Sequence, residues 1–212
     1  MNYLELQTAV LGRRFPPASE LTNVKRWIGT AYQDVWDADD WDFKKVSFEN
    51  LAVSGATVAL PGNVAEVTGL YDNFGGKLER YSQEDFERFY SGNFAVSGSV
   101  SASPPPAYMV LAGSIKLSNS ASGTYLLSYN RRVSHKLAAG TITLGLMVLD
   151  TSVPFWDDHH GLLVARAQAI GLQEINDPTY SGPQQEYERQ LVRMKQDQIT
   201  KQPAYQWASE SW

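Results

Sequence analysis

The sequence predicts an α+β fold with helical ends and a β-rich middle. Apolar residues follow helical spacing in residues 21–36 and again in residues 162–172. Between them lie short β-branched and aromatic segments punctuated by Gly, Pro, Asn and Asp. No long helical pattern separates these strands, so we expect an antiparallel sheet rather than parallel βαβ units. The expected domains are a helical bundle formed by residues 1–42 and 155–200, an inserted antiparallel β domain at 43–154, and an extended C-terminal tail at 201–212.

Composition places the chain among ordinary globular proteins and excludes several kinds of site. It has 212 residues, of which 43% are hydrophobic and 19% are charged, and its formal net charge is -5. It has no cysteine, which excludes disulfides, Cys-based zinc sites and thiol nucleophiles. The weak acidity makes non-specific duplex DNA binding a poor hypothesis. We see no signal peptide, and the longest apolar run, Leu144 to Leu149, is far too short to cross a membrane.

Two helices are expected at the N-terminal end. The first covers Tyr3 to Arg14 and stops at Phe15-Pro16-Pro17, because proline forces the preceding residue out of helical geometry. Ser19 can cap the second helix, which ends near residues 37–40. Its apolar residues trace one helix face: Leu21, Val24, Trp27, Ile28, Ala31, Tyr32, Val35 and Trp36.

The middle of the chain reads as a series of short strands. The expected ranges are 46–53 with an irregularity, 57–60, 64–71, 77–81, 108–112, 114–117, 124–133 and 141–149. Residues 72–76 have the composition of a hairpin turn, and Gly113 marks another. Ser82 precedes a short helix as a capping residue, and the Ser-, Gly- and Pro-rich residues 91–106 are expected to be a loop.

Two further helices and a tail complete the chain. Asp157 is expected to cap a helix over 158–175 that ends at Asn176-Asp177-Pro178. The last helix opens at Ser181-Gly182-Pro183 and has a narrow apolar stripe, typical of a surface helix. The tail after it is too short to fold alone and carries three aromatic residues that need a partner to bury them: Tyr205, Trp207 and Trp212.

Few side-chain clusters suggest chemistry. Asp158, His159 and His160 contain metal-ligand types, but neighbours on a helix point about 100° apart and converge poorly on one ion. We interpret them as a helix start that favours acidic residues. His135 has no nucleophile motif to serve. We therefore expect no catalytic residue, no metal and no cofactor.

An acidic, tryptophan-rich run offers the alternative function. Asp37 to Asp42 includes four aspartates, and Trp36 and Trp41 lie beside them. Paired carboxylates cleave glycosidic bonds, and tryptophans stack on sugars. A glycan-cleaving protein is therefore one rival hypothesis, and a β-sandwich glycan-binding module built from the strands is another.

The order of several stretches resembles the head-to-tail adaptor (connector) proteins of tailed bacteriophages. The similar segments are "LELQTAVLGRR" with "VKRWIGTAYQDVWDADDWDF", then "LPGNVAEVTGLYDNFGGKLERYSQEDFERFY", "GTYLLSYNRRV", and "VPFWDDHHGLLVARAQAIGLQEINDP" with "EYERQLVRMKQD". Together they cover most of the chain, and none is a catalytic motif.

This resemblance implies a structural protein of the virion. It implies a homo-oligomeric ring, twelve-fold like the portal, that sits under the portal vertex, contacts the next tail component and extends the channel through which genomic DNA passes without sequence recognition. The C-terminal segment of such adaptors reaches along the portal, so the resemblance assigns Tyr205, Trp207 and Trp212 to portal binding. It implies a location at the portal–tail neck, after assembly in the host cytoplasm.

Overall fold

The computed structural model describes residues 1–12, 21–90, 106–137, 142–146, 152–154, 156 and 158–201. They form helices and a mostly antiparallel sheet, so the α+β class is confirmed. The chain divides into two compact units, one of Met1–Phe43 with Val133–Trp212 and one of Lys44–Arg132. The second unit thus ends at Arg132, whereas the predicted insertion extends to residue 154. The division into a helical domain (1–42 and 155–200), an inserted β domain (43–154) and a tail (201–212) stays a prediction.

The first unit contains four helices among its described residues: α1 (Tyr3–Leu11), α2 (Leu21–Asp37), α4 (His160–Glu174) and α5 (Ser181–Lys201). In α1 a capping box forms, because Asn2 Oδ1 accepts from the Glu5 amide at 2.9 Å and Glu5 Oε2 accepts from the Asn2 amide at 2.9 Å. The helix ends at Leu11, before the predicted Arg14, and Gly12 with φ +47° follows it. The proposed Ser19 cap of α2 lies outside the described residues.

The start of α4 differs from the prediction and its end agrees. The helix begins at His160 with His159 as its N-cap residue, so the prediction of Asp157 as the cap is wrong. At the other end Asn176 adopts a left-handed φ of +54°, and Asp177 Oδ1 accepts from the Thr179 amide at 2.8 Å. These two residues stop α4 and start the short 3₁₀ turn that leads into α5.

One hydrophobic core joins the helices of this unit. It includes residues from α1, α2, α4 and α5, and Trp156 stacks on Tyr32 with ring centroids 4.9 Å apart. A small antiparallel sheet belongs to the same unit, with β6 (Ser134–Leu137) between β7 (Ile142–Leu144) and β8 (Ser152–Val153). The strand predicted for 141–149 is therefore observed at 142–144, while 147–150 lie outside the described residues.

The second unit is a curled sheet with one helix, α3 (Gln83–Tyr90). Its strands are β1 (Lys45–Ala59), β2 (Val64–Tyr71), β3 (Glu79–Arg80), β4 (Ala107–Leu111) and β5 (Ser114–Arg131). The central strand β5 pairs antiparallel with β1 along one side and with β2 and β4 on the other. Ala59 pairs with Ser114 and Val64 with Arg131, so the short loop between β1 and β2 connects opposite ends of the 18-residue β5. Strand β5 must therefore bend back on itself.

The predicted strand list is corrected where two segments merge. The segments expected at 57–60 and 114–117 are continuations of β1 and β5 rather than separate strands. Gly55 and Gly123 adopt φ of +114° and +152°, which lets both strands bend without ending. The irregularity expected in 46–53 is confirmed, because Phe48 has φ +61° and the register shifts between Val46 and Glu49.

The turn after β2 has the predicted place but a different partner strand. Lys77 forms only an isolated bridge with Tyr71, and Leu78 N–H donates to Leu70 O at 2.9 Å. The chain then leaves β2, and Glu79–Arg80 pairs in parallel with β4. The helix capped by Ser82 is confirmed, since Ser82 Oγ accepts from the Asp85 amide at 3.1 Å.

Candidate interaction surfaces

The three aromatic residues predicted to bind the portal cannot be placed. Tyr205, Trp207 and Trp212 lie outside the described residues, as does most of the predicted loop at 91–106. Their assignment to portal binding stays a prediction.

The acidic, tryptophan-rich run is part of the helical core and its edge. Trp36 and Trp41 are only 3% and 1% exposed, and Trp41 Nε1 donates to Val35 O at 2.6 Å. Asp39 pairs with Lys195 on α5 at 3.0 Å. Buried indole faces have no room for a sugar, so the stacking platform of the glycan hypothesis is absent from this part of the chain.

The Asp158–His160 cluster does not converge on one point. His159 Nε2 lies 3.2 Å from Asp197 Oδ2, whereas His160 Nε2 lies 3.1 Å from the N-terminal amine. An open groove of about 610 Å³ adjoins His159 and is lined by residues of α5 that include Arg193. Among the described residues no group of three or more potential ligands could hold a metal ion.

His135 is a buried residue of the small sheet. It is 1% exposed, and its Nδ1 lies 3.1 Å from Gly145 O, so this contact orients the ring. The neighbouring Ser134 carbonyl accepts a hydrogen bond from the Tyr32 hydroxyl. These contacts connect the small sheet to α2, and they indicate that His135 has a structural role.

A polar clamp fixes α2 against the end of α4. Arg26 donates two hydrogen bonds to the Glu174 carboxylate, at 2.5 and 2.7 Å, and Trp27 Nε1 donates a third at 2.6 Å. The hydrogen bonds from Arg26 and then Trp27 hold the pKa of Glu174 below its usual value. The first unit is therefore braced by side chains that sequence periodicity does not reveal.

The outer face of α5 carries two exposed apolar side chains. Val192 and Ile199 are 55% and 70% exposed, and seven residues along a helix return to nearly the same face. The packed side of the helix is formed by Tyr187 and Met194, which are buried in the core. The narrow stripe predicted for this helix is confirmed at Tyr187, Leu191 and Met194, whereas Ile199 lies outside it.

A rigid turn in the β unit presents a single phenylalanine. Asp72 Oδ1 accepts from the Phe74 and Gly76 amides at 2.9 and 2.7 Å, and Gly75 takes φ +84°. The Phe74 side chain at the tip is 90% exposed. An exposed aromatic side chain on an ordered turn is typical of an interface anchor.

The edge of β1 is the longest open backbone surface of the described residues. This strand of 15 residues pairs with β5 on one side, and no described strand pairs with it on the other. The outer edge of β2 is different, because Arg80 donates to Val67 O at 3.0 Å and Arg132 Nε to Val64 O at 2.9 Å. Sequence reasoning predicted the turn at residues 72–76, but it predicted neither the exposed Phe74 side chain at its tip nor this contrast between the two strand edges.

A comparison with protein families decides the class of protein. The model of the family described as "SU10 adaptor protein" matches residues 1–209. The chain belongs to the SU10 adaptor protein family. The resemblance to phage head-to-tail adaptors is thereby confirmed, and no curated protein matches the chain.

Membership gives this adaptor a structural role in a bacteriophage and places it in the virion. A family of structural adaptors points away from catalysis. Among the described residues no helix of the adaptor is long and apolar enough to cross a membrane.

Proposed function

We propose that this adaptor forms a ring beneath the portal vertex and joins the portal to the next tail component. The observation that supports the proposal most is the family match over residues 1–209. The ring follows the twelve-fold symmetry of the portal and extends the channel for genomic DNA. Each subunit then contacts two neighbouring copies by heterologous contacts, which close into a ring.

The helical unit suits the body of such a ring. Both ends of the chain contribute to one hydrophobic core, and we infer that its helices form the bundle expected from the sequence. The polar clamp at Glu174 and the Asp39–Lys195 pair hold its helices in fixed positions. Because a rigid unit loses little conformational entropy on association, the same contacts can form at every subunit of a ring.

The charge of the chain suits a DNA conduit. Its formal net charge is -5. A wall that attracted phosphate would retain DNA by electrostatic contact and slow its passage. We therefore expect DNA to pass without sequence recognition or tight binding.

The tail is the proposed portal contact. The predicted tail, residues 201–212, begins at Lys201, the last residue of α5, and contains Tyr205, Trp207 and Trp212. Aromatic side chains on a short segment gain most of their binding free energy when a partner buries them. The glycan alternative loses its main support, because Trp36 and Trp41 are buried.

The test is to mix the purified protein with its candidate portal and image the product by electron microscopy. The proposal expects a ring of added density under the portal with one adaptor per portal subunit. A protein that stays monomeric beside intact portal would contradict it. The same preparation is then assayed for cleavage and binding of glycans, which tests the rival glycan hypotheses.

A further inference from the structure

The outer face of α5 carries a line of exposed side chains. They recur every three or four residues and therefore share one side of the helix: Gln185, Glu188, Val192, Gln196 and Ile199. Its two apolar members, Val192 and Ile199, are 55% and 70% exposed. Apolar side chains flanked by polar ones are typical of a surface that another protein covers. This set of five residues is called the α5 stripe below.

The outer side of α2 carries a groove of about 470 Å³. Gly29 and Leu146 line it, and a Cβ added at Gly29 would lie 3.4 Å from Leu146 Cδ1. A side chain at position 29 would therefore narrow the groove, whereas glycine allows another helix to approach closely. Lys25, one turn before Gly29, also lines the groove and is exposed. This feature is called the α2 groove below.

The stripe and the groove lie on different sides of the helical unit, because α4 packs against both α2 and α5. The buried residues of α4 point in all directions around its axis: Leu162, Leu163, Ala165, Ala167, Ala169, Gly171 and Leu172. A helix that is buried all round lies among its neighbours, so the outer faces of α2 and α5 point in different directions. One copy can therefore offer its α5 stripe to the α2 groove of another copy.

Helices α2 and α5 run in the same direction. The residue pairs that join each of them to α4 follow in reverse order along the two helices. They are Arg26 with Glu174 and Asp34 with Arg166 on α2, and Gln190 with Gly161 and Gln184 with Arg166 on α5. Both helices are thus antiparallel to α4. Neighbours in a twelve-fold ring differ by a rotation of about 30°, so α5 of one copy can meet α2 of the next only in the parallel sense.

In the parallel sense one register matches both the shape and the charge of the two surfaces. Glu188 precedes Val192 by four residues on α5, and Lys25 precedes Gly29 by four residues on α2. Four residues span about 6 Å of helix. When Val192 enters the groove beside Gly29, the Glu188 carboxylate therefore lies opposite the Lys25 ammonium group. Opposite charges at matching positions favour this register over others.

We propose that, in the ring described under Proposed function and resting on it, the α5 stripe of one copy packs in parallel along the α2 groove of the next copy. Val192 enters the groove beside Gly29 and Leu146, and Glu188 pairs with Lys25. Because the two surfaces differ, the contact is heterologous and can repeat until the ring closes. Pairing of two α5 stripes would be two-fold and would stop at a dimer.

Disulfide trapping tests the register, because the chain has no cysteine of its own. Thr30, which also lines the groove, is replaced in the double variant Thr30→Cys with Val192→Cys. Rings assembled on portal are oxidised and run on non-reducing gels. The matched control combines Val192→Cys with Thr22→Cys, an exposed threonine about 12 Å away along α2. The expected result is a ladder of linked adaptors in about tenfold higher yield than in the control, since a disulfide forms only over a short distance.

Two outcomes of the trapping experiment would overturn the proposed contact. One is an equal yield of linked adaptors with cysteine at positions 22 and 30. The other is a higher yield of dimers from the single variant Val192→Cys than of ladders from the double variant, because two α5 stripes would then face each other.

Charge reversal tests the pair of Glu188 with Lys25. Lys25→Glu and Glu188→Lys should each raise the protein concentration for half-maximal ring formation by about tenfold, because like charges then face each other. The double variant should restore assembly. The control combines Lys25→Glu with Glu84→Lys, which gives the same net charge but places the new lysine on α3 in the β unit. Equal restoration by Glu84→Lys, or none by Glu188→Lys, would overturn the pairing.

A solution arm separates this inference from the proposed function. The single variants Thr30→Cys and Val192→Cys are mixed without portal and oxidised at high protein concentration. A mixed dimer in solution without rings on portal would contradict the proposed function and retain the contact. Rings on portal without a ladder would overturn the contact and retain the proposed function, whereas absence of both products would overturn both.

Discussion

At the scale of single residues, close fit between α2 and α4 depends on one glycine. A Cβ added at Gly171 would lie 2.8 Å from the Trp27 ring. The indole cannot swing aside without losing the hydrogen bond from its Nε1 to Glu174. The position therefore requires glycine for space, although its backbone is helical.

Gly171→Ala is expected to lower the free energy of unfolding by about 1–3 kcal/mol, because overpacking forces a backbone or ring shift. Urea unfolding followed by tryptophan fluorescence measures it. Gly182→Ala is the matched control, since a Cβ there meets no atom within 4 Å. Equal free energies of unfolding for the two variants would show that α2 and α4 accommodate the added methyl group without a loss of stability.

Glu174 is expected to make the stability of the helical unit pH-dependent. Its pKa is lowered from 4.5 in the folded protein, chiefly by the hydrogen bond from Arg26. A lowered folded pKa adds stability that is present above the unfolded pKa and is lost as the pH falls through the folded pKa. Glu174→Gln should therefore be less stable than the natural chain near neutral pH.

The stabilities of the natural chain and of Glu174→Gln should approach each other at acidic pH. Urea unfolding of both proteins across a pH series is the measurement, and their difference should shrink as the pH falls below 4.5 and Glu174 takes up a proton. A difference that stays constant across the series would mean that the carboxylate charge adds nothing to the clamp.

At the scale of elements, turns and bulges decide how the β unit presents its surfaces. Asp72 orders the turn through its own carboxylate, while positive φ values at Phe48 and Gly55 bracket the straight part of β1. Both devices act between residues that are close in the chain. Their consequence is an ordered aromatic tip and an open strand edge.

Asp72→Ala is expected to loosen the turn without unfolding the sheet. The Phe74 and Gly76 amides lose their shared acceptor, so their hydrogen exchange should accelerate by about tenfold, in line with the loss of a hydrogen bond to a charged group. Amide exchange followed by NMR measures it, and Asn73→Ala serves as the control in the same turn. Unchanged exchange at both amides would assign the order of the turn to its backbone alone.

At the scale of the whole molecule, the described core and the predicted tail occupy different parts of the chain. Among the described residues, the buried core of the helical unit extends to Met194, whereas the predicted tail covers residues 201–212. Folding and portal attachment should therefore respond differently to loss of the tail.

Truncation after Thr200 is expected to leave the unfolding transition within about 1 kcal/mol of the full chain, since no described core contact is removed. Attachment to portal should weaken, as seen by co-sedimentation. Normal ring assembly on portal by the truncated protein would show that Tyr205, Trp207 and Trp212 are not the portal contact.

Local signals predicted most of the elements because their causes are local. The spacing of apolar residues from Leu21 to Trp36, the Ser82 cap and the turn at residues 72–76 each act within a few residues of chain. The N-cap of α4 was misplaced, because the acidic residues near 157 satisfied a cap pattern whether or not the helix began there.

By itself the sequence determined the α+β class, the helical ends, the order of most strands and the resemblance to phage adaptors, since periodicity and capping are properties of neighbouring residues. Only the tertiary structure decided that β1 and β5 each continue through a bend and that Trp36 and Trp41 are buried. It also decided that Arg80 and Arg132 cover the β2 edge, whereas no strand of the described residues pairs with the outer edge of β1. These features depend on contacts between residues far apart in the chain, such as Arg80 with Val67 and Glu49 with Tyr129, which no local pattern encodes.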